Sequence, residues 1–159
     1  MARIGNLAAL GQTLIIITLG VLYYVVFYEE YKIIALVALG CFLLAAIFIA
    51  VGKIGSYGLI PLSQEFVEAG TPESSHFQTL GNFLYYGVGR RGHDLYALFI
   101  YLGFLLANYL LYISRSIPRA ISIFGFVAIC LLLIYQVLQL YDREFLPGAM
   151  ILALPYAPY

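Results

Sequence analysis

Residues 4–28, 33–52, 95–114 and 120–141 contain no charged side chain. These runs are 25, 20, 20 and 22 residues long. At a rise of about 1.5 Å per residue, each is long enough as a helix to cross a hydrocarbon layer about 30 Å thick. In lipid every backbone N–H and C=O must be paired within the protein, which restricts spanning structures to helices and closed barrels. Uninterrupted apolar runs of this length exclude the in-out alternation of barrel strands. The sequence therefore reads as an all-α, polytopic transmembrane helical bundle, one integral membrane domain over residues 1–159, with the lipid bilayer as solvent. A fifth charge-free run, 145–159, is broken by Pro147, Pro155 and Pro158 and is too short to cross as a regular helix. The expectation is four full spans plus a partial fifth.

Only 10% of residues are charged, against roughly a quarter in globular proteins, and 64% are hydrophobic. Eight basic and eight acidic residues are spread over the connections and cancel, so no basic patch is expected to hold nucleic acid or to grip anionic lipid strongly. Cys41 and Cys130 fall in the middle of the second and fourth runs, without metal-ligand spacing around them, and read as small apolar side chains. Met1-Ala2-Arg3 followed by an apolar run resembles a secretory leader, but the run is far longer than a leader's and no small-x-small site closes it. It reads as a retained first span.

Tyr23, Tyr24, Tyr28 and Tyr31 surround Glu29-Glu30, and phenol rings belong at the headgroup level, so this turn marks one membrane surface, called side B. The second span returns to side A near Lys53, where Gly55, Gly58 and Pro61 predict a break. Thr71-Pro72-Glu73 has the form of a helix start. With Phe77, Leu80 and Leu84 at helical spacing, residues 73–86 are expected to form an amphipathic helix that lies at the interface or leads into the next span. Gly87-Val88-Gly89-Arg90-Arg91-Gly92 matches the GxGxxG dinucleotide pattern but lacks the preceding strand and βαβ setting. It reads as a flexible joint, with no nucleotide expected. The five residues 115–119 force the third and fourth spans to be antiparallel neighbours, with Pro118 starting the fourth. Charge alone leaves the orientation open. Arg3, Lys53, Arg90, Arg91 and Arg143 fall on side A, and Lys32, Arg115 and Arg119 fall on side B in two short turns.

The stretches Leu62-Ser63-Gln64-Glu65-Phe66-Val67-Glu68-Ala69-Gly70, Leu110-Leu111-Tyr112-Ile113-Ser114-Arg115-Ser116-Ile117-Pro118-Arg119 and Ala153-Leu154-Pro155 resemble, in order and spacing, the domain-of-unknown-function 4386 family of bacterial multi-pass membrane proteins. The resemblance runs from about Leu7 to the end of the chain. It implies a bundle of about six spans in a bacterial inner membrane, with no established activity and with side B cytoplasmic. It also implies a further span ahead of this sequence and a further C-terminal segment, so the chain reads as a shortened member or part of a longer one. Family members often carry an Arg and a Glu in the second span; here the residues are Gly40-Cys41-Phe42-Leu43-Leu44-Ala45, and no ionic role carries over.

No ionisable side chain lies inside the four spans, which disfavours a proton-coupled pump. On the third span Asp94, Tyr101, Asn108 and Tyr112 share one helical face, which is expected to point inward. Counting from side B puts Gln12 and Gln136 at about 24–26 Å, Tyr101 at about 20 Å and Asn108 at about 9 Å. Gln12, Tyr101 and Gln136 are thus the candidate ligand-binding residues, able to meet around a small polar cavity; as interhelical glue they need bind nothing. Glu65, Glu68, His76, His93 and Asp94 collect on side A without a metal or acid–base motif, and the simplest reading is a solvated connection. Gly103/Ala107 and Ala46/Ala50 are small-xxx-small pairs that let helices, or a partner, approach.

The expected function is a non-enzymatic accessory or interaction subunit that packs against other membrane protein subunits, with no cofactor and no catalytic or metal-binding residue. A small-molecule-binding or transport protein, and then an integral membrane enzyme, are the alternatives.

Overall fold

A computed structural model describes residues 2–68 and 76–141, with side chains from residue 11 onward. The elements are helices α1 (Ala2–Glu68), α2 (His76–Asn82), a π-helical segment (Phe83–Arg90), α3 (Arg91–Ile113) and α4 (Arg119–Tyr141). Three stretches are long and apolar enough to cross a membrane: Gly11–Glu68, His76–Ile113 and Arg119–Tyr141. The expected count of four depends on dividing the first of these at Tyr31.

Tyr31 leaves helical geometry, with φ −131 and ψ 39. Residues 20 and 42 would stand about 33 Å apart along a straight helix. Yet a Cβ on Gly20 would lie 2.9 Å from Phe42 Cβ, and the Tyr23 ring stacks on the Phe42 ring at 6.2 Å. The helix therefore doubles back at Tyr31 into two antiparallel arms, 2–30 and 32–68. Lys32 Nζ sits 4.9 Å above the Tyr28 ring at this reversal, and the Tyr28 hydroxyl beside it raises the ammonium above the usual lysine range.

Phe42 is fully buried where the two arms meet α3. Its ring meets Phe104 edge-on at 5.4 Å, and a Cβ on Gly103 would stand 3.1 Å from it. Ile16, Ala45, Ala46, Ile100 and Ala107 complete this cluster, and Phe27, Ala35 and Leu110 form a second one toward side B. Of the small pairs, Gly103, Ala107 and Ala46 are buried at helix contacts, whereas Ala50 is exposed.

The expected break after Lys53 does not occur: the second arm continues to Glu68 with Pro61 inside it. Tertiary packing overrides the local signals. A Cβ on Gly55 would lie 3.0 Å from the Leu84 carbonyl oxygen, so the glycine admits a close neighbour instead of ending a helix. The joint expected at residues 87–92 is helical throughout. Gly92 crosses Gly52 so closely that an added Cβ would stand 2.9 Å from the Gly52 Cα and 3.1 Å from the Phe48 carbonyl oxygen. These glycines form a contact between backbones. Of the amphipathic segment, residues 76–86 are helical and lead through the π-helical segment directly into α3, packed along the second arm. Residues 73–75 and the partial fifth span lie outside the described residues.

α3 ends at Ile113; two residues on, Arg115, with a φ of 56, turns the chain in the left-handed region, and the Pro118 carbonyl accepts the first N–H bonds of α4. α4 packs on α3, and among the described residues no Cα of α4 lies within 8 Å of one in α1. α3 is thus the central element, with the hairpin arms on one flank and α4 on another.

Phe42→Ala is expected to lower unfolding stability in detergent by about 3 kcal/mol, since it empties the site where three helices meet. Gly92→Ala should also destabilise, because backbone atoms block the new methyl. Gly40→Ala, with nothing within 4 Å, should be neutral or stabilising by up to about 1 kcal/mol. Thermal melts of the three variants check the ranking.

Candidate functional site

Polar side chains converge at the side-A end of the bundle, on the first turns of α3. Gln12 Nε2 donates to the Tyr96 hydroxyl at 2.8 Å, tying the first arm to α3. Gln136 Nε2 donates to the Asp94 backbone carbonyl at 3.3 Å, tying α4 to the same turns. Gln136 is buried, while Gln12 lies at the exposed edge. Tyr101, two turns further along α3, is half-buried and packs on the Phe42 cluster. The two amides are thus brought to one level of α3, but through Tyr96 and Asp94, partners that the residue-by-residue reading did not select. A signal was present: Tyr96 counts to about 27 Å from side B, nearer the depth of Gln12 than Tyr101 is.

Asp94 is buried, not solvated, at 5% exposure. His93 beside it is exposed, its ring 5.5 Å from that of Tyr96. Asn108 donates to the Phe104 carbonyl at 3.0 Å and rests against Gly125 of α4, where a Cβ would meet its Oδ1 at 2.6 Å. Tyr112, expected to face inward with Asp94 and Asn108, is exposed. Eighteen residues are five full turns, so it shares a face with Asp94, and its exposure comes from its place near the end of α3, at the rim of the space beside α4.

A cavity of about 70 Å³ lies beside this level, lined by Ile49, Gly52, Lys53, Ser56, Gly89 and His93. It exists because the glycines bring two backbones together and leave Lys53 and His93 at the margin. Its volume admits a few water molecules, far below the roughly 300 Å³ at which small-molecule pockets begin. Ser56 Oγ donates to the Gly52 carbonyl at 3.4 Å on its wall. No group of three His, Cys, Asp or Glu side chains stands together among the described residues. The amides of Gln12 and Gln136 supply hydrogen bonds that tie helices together at this level.

A double-mutant cycle on Gln12→Leu and Tyr96→Phe should give a coupling of about 0.6 kcal/mol, and Gln136→Leu should cost about 1 kcal/mol or less. Equilibrium unfolding in mixed micelles measures both.

No curated protein and no solved structure matches the chain. The family model described as Domain of unknown function (DUF4386) matches residues 1–158, and it is to this family that the chain belongs.

Proposed function

We propose that this is a non-enzymatic membrane protein that serves as an accessory or interaction subunit of a membrane assembly, using the paired helices that run beyond the hydrocarbon layer on side A. The supporting observation is one of length. From Tyr31 the second arm needs about 21 residues to cross the apolar layer, which brings it to Gly52, yet it continues for a further 16 residues, or about 24 Å, to Glu68. Helix 76–91 runs back along it, with Phe77 and Gly81 facing Leu62 and Phe66 across a shared groove. Tyr57, Tyr85 and Tyr86 come at the headgroup level, the usual place for such rings. Beyond them Ile60, Val67, Leu80 and Phe83 are 42%, 66%, 47% and 61% exposed. Apolar side chains gathered on a surface outside the lipid core are the mark of an interaction site.

In this reading the two arms of α1 cross separately, giving four crossings. The protein resides in the bacterial inner membrane, with the turn at residues 115–119 in the cytoplasm. Its partners are other membrane protein subunits, and it takes no nucleotide, nucleic acid or cofactor. The alternative, a small molecule held by Gln12, Tyr101 and Gln136, draws less support because the amides of Gln12 and Gln136 already have protein partners.

Purification from native membranes in mild detergent tests the proposal. The wild type should elute with a larger complex, and Leu80→Ser/Phe83→Ser should release it as a folded, smaller species. A lone wild-type protein stabilised by a metabolite would favour the small-molecule reading, and stoichiometric bound metal would favour an enzyme. A cysteine at Ser116 should resist membrane-impermeant reagents in intact cells; labelling from outside would reverse the topology.

A further inference from the structure

Between the ends of α3 and α4 on side B lies a cavity of about 190 Å³, lined by Tyr109, Tyr112, Ser122, Ile123 and Phe126. Four of these are apolar or aromatic side chains that stay 40–52% exposed at its rim. The fifth, Ser122, is 1% exposed, and its Oγ has no hydrogen-bond partner. An unpaired hydroxyl at this burial is costly, so an acceptor brought by an occupant of the cavity would stabilise it. The turn that joins α3 to α4 carries charge of one sign. Arg119 precedes Ser122 and Ile123 by three and four residues and therefore stands one helical turn above them, toward side B. Arg115 is also exposed in the same turn, where residues 114–119 contain no acid. Glu29 and Glu30 stand on the neighbouring turn of α1, where Tyr31 and Ile113 pack in one cluster.

We propose that this cavity is a binding site for one anionic glycerophospholipid. Its phosphate faces Arg115 and Arg119, an ester carbonyl accepts from Ser122 Oγ, and one acyl chain lies against Tyr109, Ile123 and Phe126. The vertical spacing fits this occupant. Three residues of helix put Ser122 about 4–5 Å below Arg119, as the ester groups of such a lipid lie a few ångströms below its phosphate. The aromatic walls accept a chain without a fixed register, and the two guanidiniums select a phosphate whose charge is not neutralised within its own headgroup.

Native mass spectrometry and thermal melts of the whole protein in mild detergent, with phosphatidylglycerol and phosphatidylcholine in equal amounts, provide the test. The wild type should retain phosphatidylglycerol preferentially and melt higher with it. Ser122→Ala should weaken that retention about fivefold, the factor carried by one hydrogen bond, and should melt no lower than wild type without lipid. Arg115→Gln/Arg119→Gln should bind the two lipids alike. Equal binding of both lipids by the wild type, full retention by Ser122→Ala, or a lower lipid-free melting point for that variant would overturn the proposal. The last result would mean that the hydroxyl has a partner inside the protein.

Discussion

The packing of this protein depends on one ring. Phe42 enters a slot whose walls are the backbones of Gly20 and Gly103, with Tyr23 and Phe104 against its remaining faces. Lipid tails are as apolar as the interior, so no hydrophobic force drives these helices together. Contact area and interhelical hydrogen bonds must hold them. A large side chain fitted between two glycines maximises that area, since it makes dispersion contacts with helix backbones as well as with the side chains around it. The reversal at Tyr31 serves the same end by holding the first arm where Gly20 meets the ring.

A second kind of contact operates further toward side A. There no large side chain intervenes, and Gly52 and Gly92 bring two backbones together, with Gly55 admitting the Leu84 carbonyl. The polar ties from Gln12 and Gln136 sit at the same height. The bundle is thus pinned by shape at its middle and by short polar contacts at the level where two of its helices leave the others behind. α4, held on α3 alone among the described helices, contributes least to this scheme and keeps most of its surface for lipid.

Helical content and membrane character were legible in the sequence because charge-free runs of 20 or more residues have few physical solutions. The short turns were legible for the same reason: five residues at 115–119 allow only antiparallel neighbours. Gly55, Gly58 and Gly92 misled, because each is a breaker in isolation and a spacer when another helix lies against it, and Pro61 is carried within the helix. Composition cannot distinguish the two without knowing what lies opposite. The candidate site was half legible. Depth counting placed Gln12 and Gln136 at one level, but it could not show that Tyr96 and the Asp94 carbonyl would take their protons. Ser122 gave no signal at all, since a serine near a helix start reads as an ordinary interfacial residue, and its burial comes from how α4 leans on α3.

The reversal at Tyr31 occupies a single non-helical residue, and this leaves no slack between the first two arms. Their heights and rotational phases are locked together as gears are. One extra residue at the turn would advance the second arm by about 100° and 1.5 Å, swinging the ring of Phe42 out of its slot and the glycine seam out of line at once. An inserted or deleted residue at Tyr31 is thus felt in both contacts at once, and the two arms behave as one mechanical unit.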